Sequence, residues 1–174
     1  MKDITFSSDE GELSMEDHIE GAMLMEEYFK TESHPEEFQI NMEAIRWNHD
    51  HLLDCINVIK YKGKVIGEIY VMPCTKEIME RFLADDINEK QMSEEIREKV
   101  NYRNFDCIYL CSSFIKPEFR GKGLSVEARI KTIKKVVGKR NIKPILFYEP
   151  YTKEGEMSCK KVAKILGLKL LKKN

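Results

Sequence analysis

From Cys107 to Ile115 the chain reads CIYLCSSFI, a run without a charge whose length and makeup suit a buried strand. Pro117 ends it, because proline has no backbone donor and drives Lys116 toward extended geometry. Upstream, residues 3–7 are short and β-prone, and Ser7-Ser8-Asp9 opens a turn. Apolar residues then fall at Leu13, Ile19, Met23, Leu24 and Phe29, broadly at helical spacing, with Ser14 placed as N-cap and Asp17 three residues on. His34-Pro35 breaks that helix, and residues 38–47 predict a second, short one. Residues 55–61 and 64–72 read as two strands joined by Lys62-Gly63, a tight hairpin signal. The mostly polar stretch 73–104 carries Ile78, Met79, Phe82 and Leu83 at helical spacing and a further helical stretch at 94–100, so it predicts two helices inserted before the fourth strand. Beyond that strand, Leu124–Val137 is a helix whose buried side is Leu124, Ala128, Ile130, Ile133, Val136 and Val137, with Arg129, Lys131, Lys134 and Lys135 expected to face out. Gly138 ends it; Ile145–Tyr148 is a strand and residues 156–166 a last helix. The pattern describes a single α/β (α+β) domain over residues 1–174, with a central mixed, mostly antiparallel sheet flanked by helices.

Between the uncharged strand and its helix lies Arg120-Gly121-Lys122-Gly123-Leu124-Ser125. Two glycines allow a tight bend and a close approach, and the helix start turns unpaired N–H groups and the positive dipole end toward one point, which is anion-binding geometry. Neither G-x4-G-K-[ST] nor G-x-G-x-x-G is present, since the upstream glycine of the first and the third glycine of the second are missing.

The segment from Ile115 through Lys116-Pro117-Glu118-Phe119 to Ser125 resembles the acyl-CoA pyrophosphate loop of the GNAT superfamily of N-acyltransferases. Arg120, Gly123 and Ser125 occupy its pattern positions, with Ser an unusual last member. The resemblance implies a GNAT-like fold with a shortened C-terminal strand. It also implies an acetyltransferase-type activity that moves an acetyl or short acyl group from acetyl-CoA, or another acyl-CoA, to an amine of a small molecule or peptide. Gly121, Lys122, Gly123, Leu124 and Ser125 would hold the pyrophosphate of coenzyme A. Phe114 and Ile115 would contribute main chain to the pantetheine arm, where the family's fourth strand splays from the fifth. A catalytic carboxylate that some members carry midway along this strand would fall at Tyr109, and the tyrosine acid of the last helix at Ala163; neither residue has that chemistry. Cys159 and Tyr148 are the substitutes for the acid. Tyr28, Phe38, Trp47 and Tyr109 are candidate acceptor contacts, with plain core packing the alternative for the aromatics. The missing positions also leave open a GNAT-like domain that binds CoA without catalysis, as a sensor or interaction module.

Glu68 lies in the third strand between Ile66 and Tyr70, which allows either a solvated face, the favoured reading, or a polar cleft in which it would be a general base. Charge is segregated: residues 1–50 hold 14 acids and 3 bases, residues 101–174 hold 6 and 18. A basic C-terminal half suits a phosphorylated ligand and an acidic N-terminal third a cationic acceptor; a plain solvated surface is the alternative. The basic residues come without a nucleic-acid module, and no apolar run approaches the roughly 18 residues of a membrane span, so neither partner is expected. With no apolar leader at the N-terminus the cytoplasm is the expected location. Five cysteines, odd in number, suggest reduced buried thiols, and His49-x-His51 lacks further ligands at metal spacing, so no metal is expected. The inserted helices are candidates for a lid, an embellishment or a homodimer contact. The chain reaches only seven residues past Gly167, too few for a seventh family strand.

Overall fold

A computed structural model of the chain describes residues 3–98, 104–138 and 140–174. Among them, six strands form one mixed sheet: β1 (Ile4–Phe6), β2 (Ile56–Tyr61), β3 (Lys64–Cys74), β4 (Cys107–Ile115), β5 (Ile145–Tyr148) and β6 (Leu170–Lys172). They lie in chain order; β1 to β4 are antiparallel neighbours, and β4, β5 and β6 run parallel. Seven α-helices of the described residues flank the sheet: α1 (Ser7–Glu10), α2 (Met15–Phe29), α3 (Met42–His51), α4 (Lys76–Leu83), α5 (Glu89–Glu98), α6 (Leu124–Val137) and α7 (Lys153–Leu166). The β2–β3 hairpin turns on Lys62 (φ 50°) and Gly63 (φ 77°), two successive left-handed residues that match the twist of the strands.

Caps moved three helix starts from where apolar spacing put them. The second helix begins at Met42, not at residue 38, because the Asn41 side chain accepts from Ala44 N–H. α5 begins at Glu89, five residues before the expected 94, because Asn88 and Gln91 exchange hydrogen bonds at 2.9 and 3.0 Å. The rest of that expected helix, residues 99 and 100, lies outside the described residues. Thr152 starts α7 at Lys153 by accepting from Gly155 N–H. The third strand runs through Pro73 to Cys74, opposite Ile108 and Cys107.

Two side chains depart from the sequence reading. Glu68 is not on a solvated face: at 1% exposure it lies between β3 and α2, 3.7 Å from His18 Nε2, with Gly21 leaving the room for its carboxyl. Burial drives the Glu68 carboxyl well above its usual range, and burial, helped by neighbouring His49, lowers His18 to about 4. Arg129 does not face out either: it is 3% exposed, because it shares α6's inner stripe with Leu124, Ala128, Thr132, Ile133 and Val136. Lys131 and Lys135 do point outward, where they meet Asp9 and Asp54.

β4 also breaks its expected alternation. Tyr109 stands opposite Met72 and Ser112 opposite Tyr70, so three steps along β4 match two along β3, and Leu110-Cys111 form a bulge. Residues 107, 109, 111, 113 and 115 therefore do not share one face. Tyr109, Ser112 and Phe114 lie on the α2–α3 face, where the Phe114 ring meets Tyr28 at 5.2 Å, while Ser113 bonds Ser125 of α6 on the other. The five cysteines are free thiols, four of them buried. Among the described residues no helix is long and apolar enough to cross a membrane.

Candidate functional site

β4 pairs with β5 only through Cys107, Ile108 and Tyr109. Past the bulge it runs on to Ile115 with β3 alone as neighbour, so the backbone groups on its β5 side have no strand partner. Beside this open edge lies a cleft of ≈ 930 Å³, walled by the ends of α2 and α6, the start of α7 and the tip of α5. Its size suits a large cofactor or substrate.

At one end is the glycine corner. Gly121 and Gly123 hold φ of 75° and 79°, and no atom stands within 4 Å of where a Cβ would be, so the corner is open to an approaching ligand. Gly123 caps α6 without a side-chain bond, which leaves the first-turn N–H groups for a ligand. Arg120 braces the corner: its Nε donates to the Ile115 carbonyl at 2.7 Å, and its guanidinium lies over the Tyr28 and Phe114 rings. Lys122 Nζ donates to the Glu118 carbonyl. Ser125 joins Ser113 and Ser158 in a chain of hydroxyls at 2.7 and 3.1 Å.

At the other end is a carboxylate that the sequence reading did not single out. Glu89, the first residue of α5, accepts from Tyr109 Oη at 2.8 Å through one oxygen and from Phe38 N–H at 2.7 Å through the other. Cys111 Sγ lies 3.7 Å from the first oxygen. Burial pushes the Glu89 carboxyl up, against the pull of these two bonds, and Glu149 and Glu37 push it further. Glu37 is itself raised, first by burial, and both Glu37 and Glu149 line the cleft. The α5 tip thus brings a carboxylate to the middle of β4, at Tyr109. The one signal in the sequence was the Asn88–Gln91 capping pair, which marks Glu89 as a helix start.

Of the sequence candidates, Tyr28, Phe38, Tyr109, Phe114, Ile115, Tyr148, Cys159 and residues 120–125 all line the cleft. Tyr148 and Cys159 are buried and keep their protons, each raised chiefly by burial. Trp47 and Glu68 are not among the lining residues. Trp47 stacks on His51 at 4.6 Å with Arg97 above it, and Glu68 faces His18. His49 and His51 are engaged apart, on the carbonyls of Leu13 and Trp47. No protein-family model matches the chain, and a search of curated proteins finds no similar sequence.

Proposed function

We propose that this chain is a GNAT-like, acyl-CoA-dependent N-acyltransferase acting on a cationic amine. The observation that carries the reading is the half-paired strand β4, which joins the glycine corner at one end to Glu89 at the other. The residues fit the donor: first-turn N–H groups of α6 for a pyrophosphate, and open strand groups of residues 110–115 for the amides of a pantetheine arm. Coenzyme A would supply the activated acyl group as a thioester.

The chain's own residues then have distinct work. Glu37 and Glu89, beside a Glu149 that pairs with Lys173 at 3.5 Å, give the inner end an acidic character that suits an ammonium. Glu89, ionised, takes a proton from it, and the free amine nitrogen bonds the acyl carbon as the C–S bond breaks. Tyr148 or Cys159 gives a proton to the departing sulfur and is recharged by the second proton that the nitrogen sheds as the amide forms, while the first leaves Glu89 to solvent. Because burial first, and then Glu149 and Glu37, raise Glu89, it is a stronger base than an exposed glutamate. A binding-only reading draws on Ala163, which carries no proton where the family has its acid.

Thermal melting with CoA and acetyl-CoA tests the donor. Binding at 100 times Kd raises stability by about 2.7 kcal/mol, and no shift with either ligand overturns the proposal. Thiol release with a panel of amines then separates enzyme from binding module. In the enzyme, Glu89→Gln lowers kcat by about 10²-fold or more while leaving CoA binding unchanged.

A further inference from the structure

Arg129 is a buried charge to which the acyl-transfer reading gives no task. Arginine is a cationic side chain with five donors, yet this residue is only 3% exposed. Its Nη1 donates to two neutral partners, Ser158 Oγ and Cys159 Sγ, both at 3.2 Å. Its Nε is buried without a partner, and it forms no ion pair with a carboxylate of the described residues. Cys159 does not serve as counter-ion, because burial raises its thiol in spite of the adjacent guanidinium. A buried cation left in that state is unfavourable, and an anionic ligand would offset the cost.

The residue's position narrows the ligand. Arg129 lines the cleft, and so does Ser112, whose hydroxyl is also buried without a partner. Arg129 stands one helical turn past Ser125 on α6, on the side of the glycine corner. The corner itself takes the phosphates, so the anion for Arg129 lies deeper. An acceptor carboxylate is disfavoured, since the inner end already holds Glu37 and Glu89, and its cation Lys173 is taken by Glu149 at 3.5 Å. What remains is a carboxylate on the donor, and the free Nε edge of a guanidinium matches a carboxylate with two parallel bonds.

We infer that Arg129 anchors the terminal carboxylate of the acyl group, so that the cleft selects dicarboxylic acyl-CoA donors over acetyl-CoA. The inference rests on the acyl-CoA reading, and titration calorimetry tells the two apart. The probes are CoA, acetyl-CoA, malonyl-CoA, succinyl-CoA and glutaryl-CoA. The expected result is that at least one dicarboxylic donor binds on the order of tenfold or more tightly than acetyl-CoA, as a charge-assisted pair implies. In Arg129→Gln that preference disappears while the affinity for CoA is kept, and Arg129→Lys restores only part of it. The wild-type comparison needs no variant, so a poorly folded R129Q leaves the test intact. Equal affinity for all acyl donors overturns the inference and leaves the acyl-CoA reading standing. A preference that survives in R129Q assigns the carboxylate to another residue and overturns it too. Absence of binding by every CoA species removes the acyl-CoA reading, and the inference with it.

Discussion

Glu89 owes its chemistry to its surroundings more than to its type. On a polar segment between two strands it reads as one more solvated acid; in the fold it bonds Tyr109 and the Phe38 backbone beside two further carboxylates. This has a direct consequence for pH. Burial first, then Glu149 and Glu37, raise the Glu89 carboxyl, so its protonated form persists to higher pH than an ordinary glutamate allows. With Glu89 as the base of the proposed acyl transfer, activity is expected to rise with pH along a limb above the usual carboxylate range. Glu149→Gln removes one like charge and is expected to move that limb to lower pH, as a pH profile of kcat/KM would record. A limb that stays in place assigns the titration to another group.

Elements with a strong local signal were legible in the chain. The uncharged run of β4, Pro117, the glycine corner and the periodic helix α6 appear where the sequence puts them, because each is set by neighbours within a few residues. The starts of α3, α5 and α7 depended instead on Asn41, Asn88 and Thr152, caps that outrank apolar spacing. Burial of Glu68, Arg129 and Glu89 was not legible, since each depends on residues distant in the chain. Gly21 shows the same dependence. Inside a helix, Gly to Ala ordinarily stabilises by about 0.5–1 kcal/mol. Here a Cβ would overlap the Glu68 carboxylate, so Gly21→Ala is expected to destabilise by about 1–3 kcal/mol in denaturant unfolding. In a Glu68→Ala background the same change is expected to become neutral or favourable, and equal costs in both backgrounds would rule out the contact.

Across the whole molecule the segregated charge has two different uses. Part of it is neutralised internally: Lys60 meets Glu10 and Asp17 at 2.9 and 3.0 Å, Lys135 meets Asp54 at 3.1 Å, and Lys131 meets Asp9. Such partly exposed surface pairs each contribute about 0–1 kcal/mol. The remainder includes Lys122 and Lys161, which line the cleft and would meet the phosphates of the proposed donor. Raising salt from about 0.05 to 0.5 M is thus expected to weaken CoA binding several-fold while changing the melting temperature by less than about 4 °C. The reverse pattern, a large loss of stability with constant affinity, would give the charge a purely structural role.

The bulge at Leu110-Cys111 makes residue count a kind of phase in β4. Cys111→Ala changes one group and is expected to leave CoA-induced stabilisation intact. Deleting Cys111 changes no other letter, yet it removes the extra residue and restores strict alternation, with Ser112 to Ile115 kept on the faces they now occupy. Phe114 would still face Tyr28 and Ser113 would still face Ser125, but the edge that stands open would come into step with β5 and close over the groups a pantetheine arm needs. The deletion is expected to abolish the thermal shift with CoA, so this strand tolerates substitution far better than a change of length.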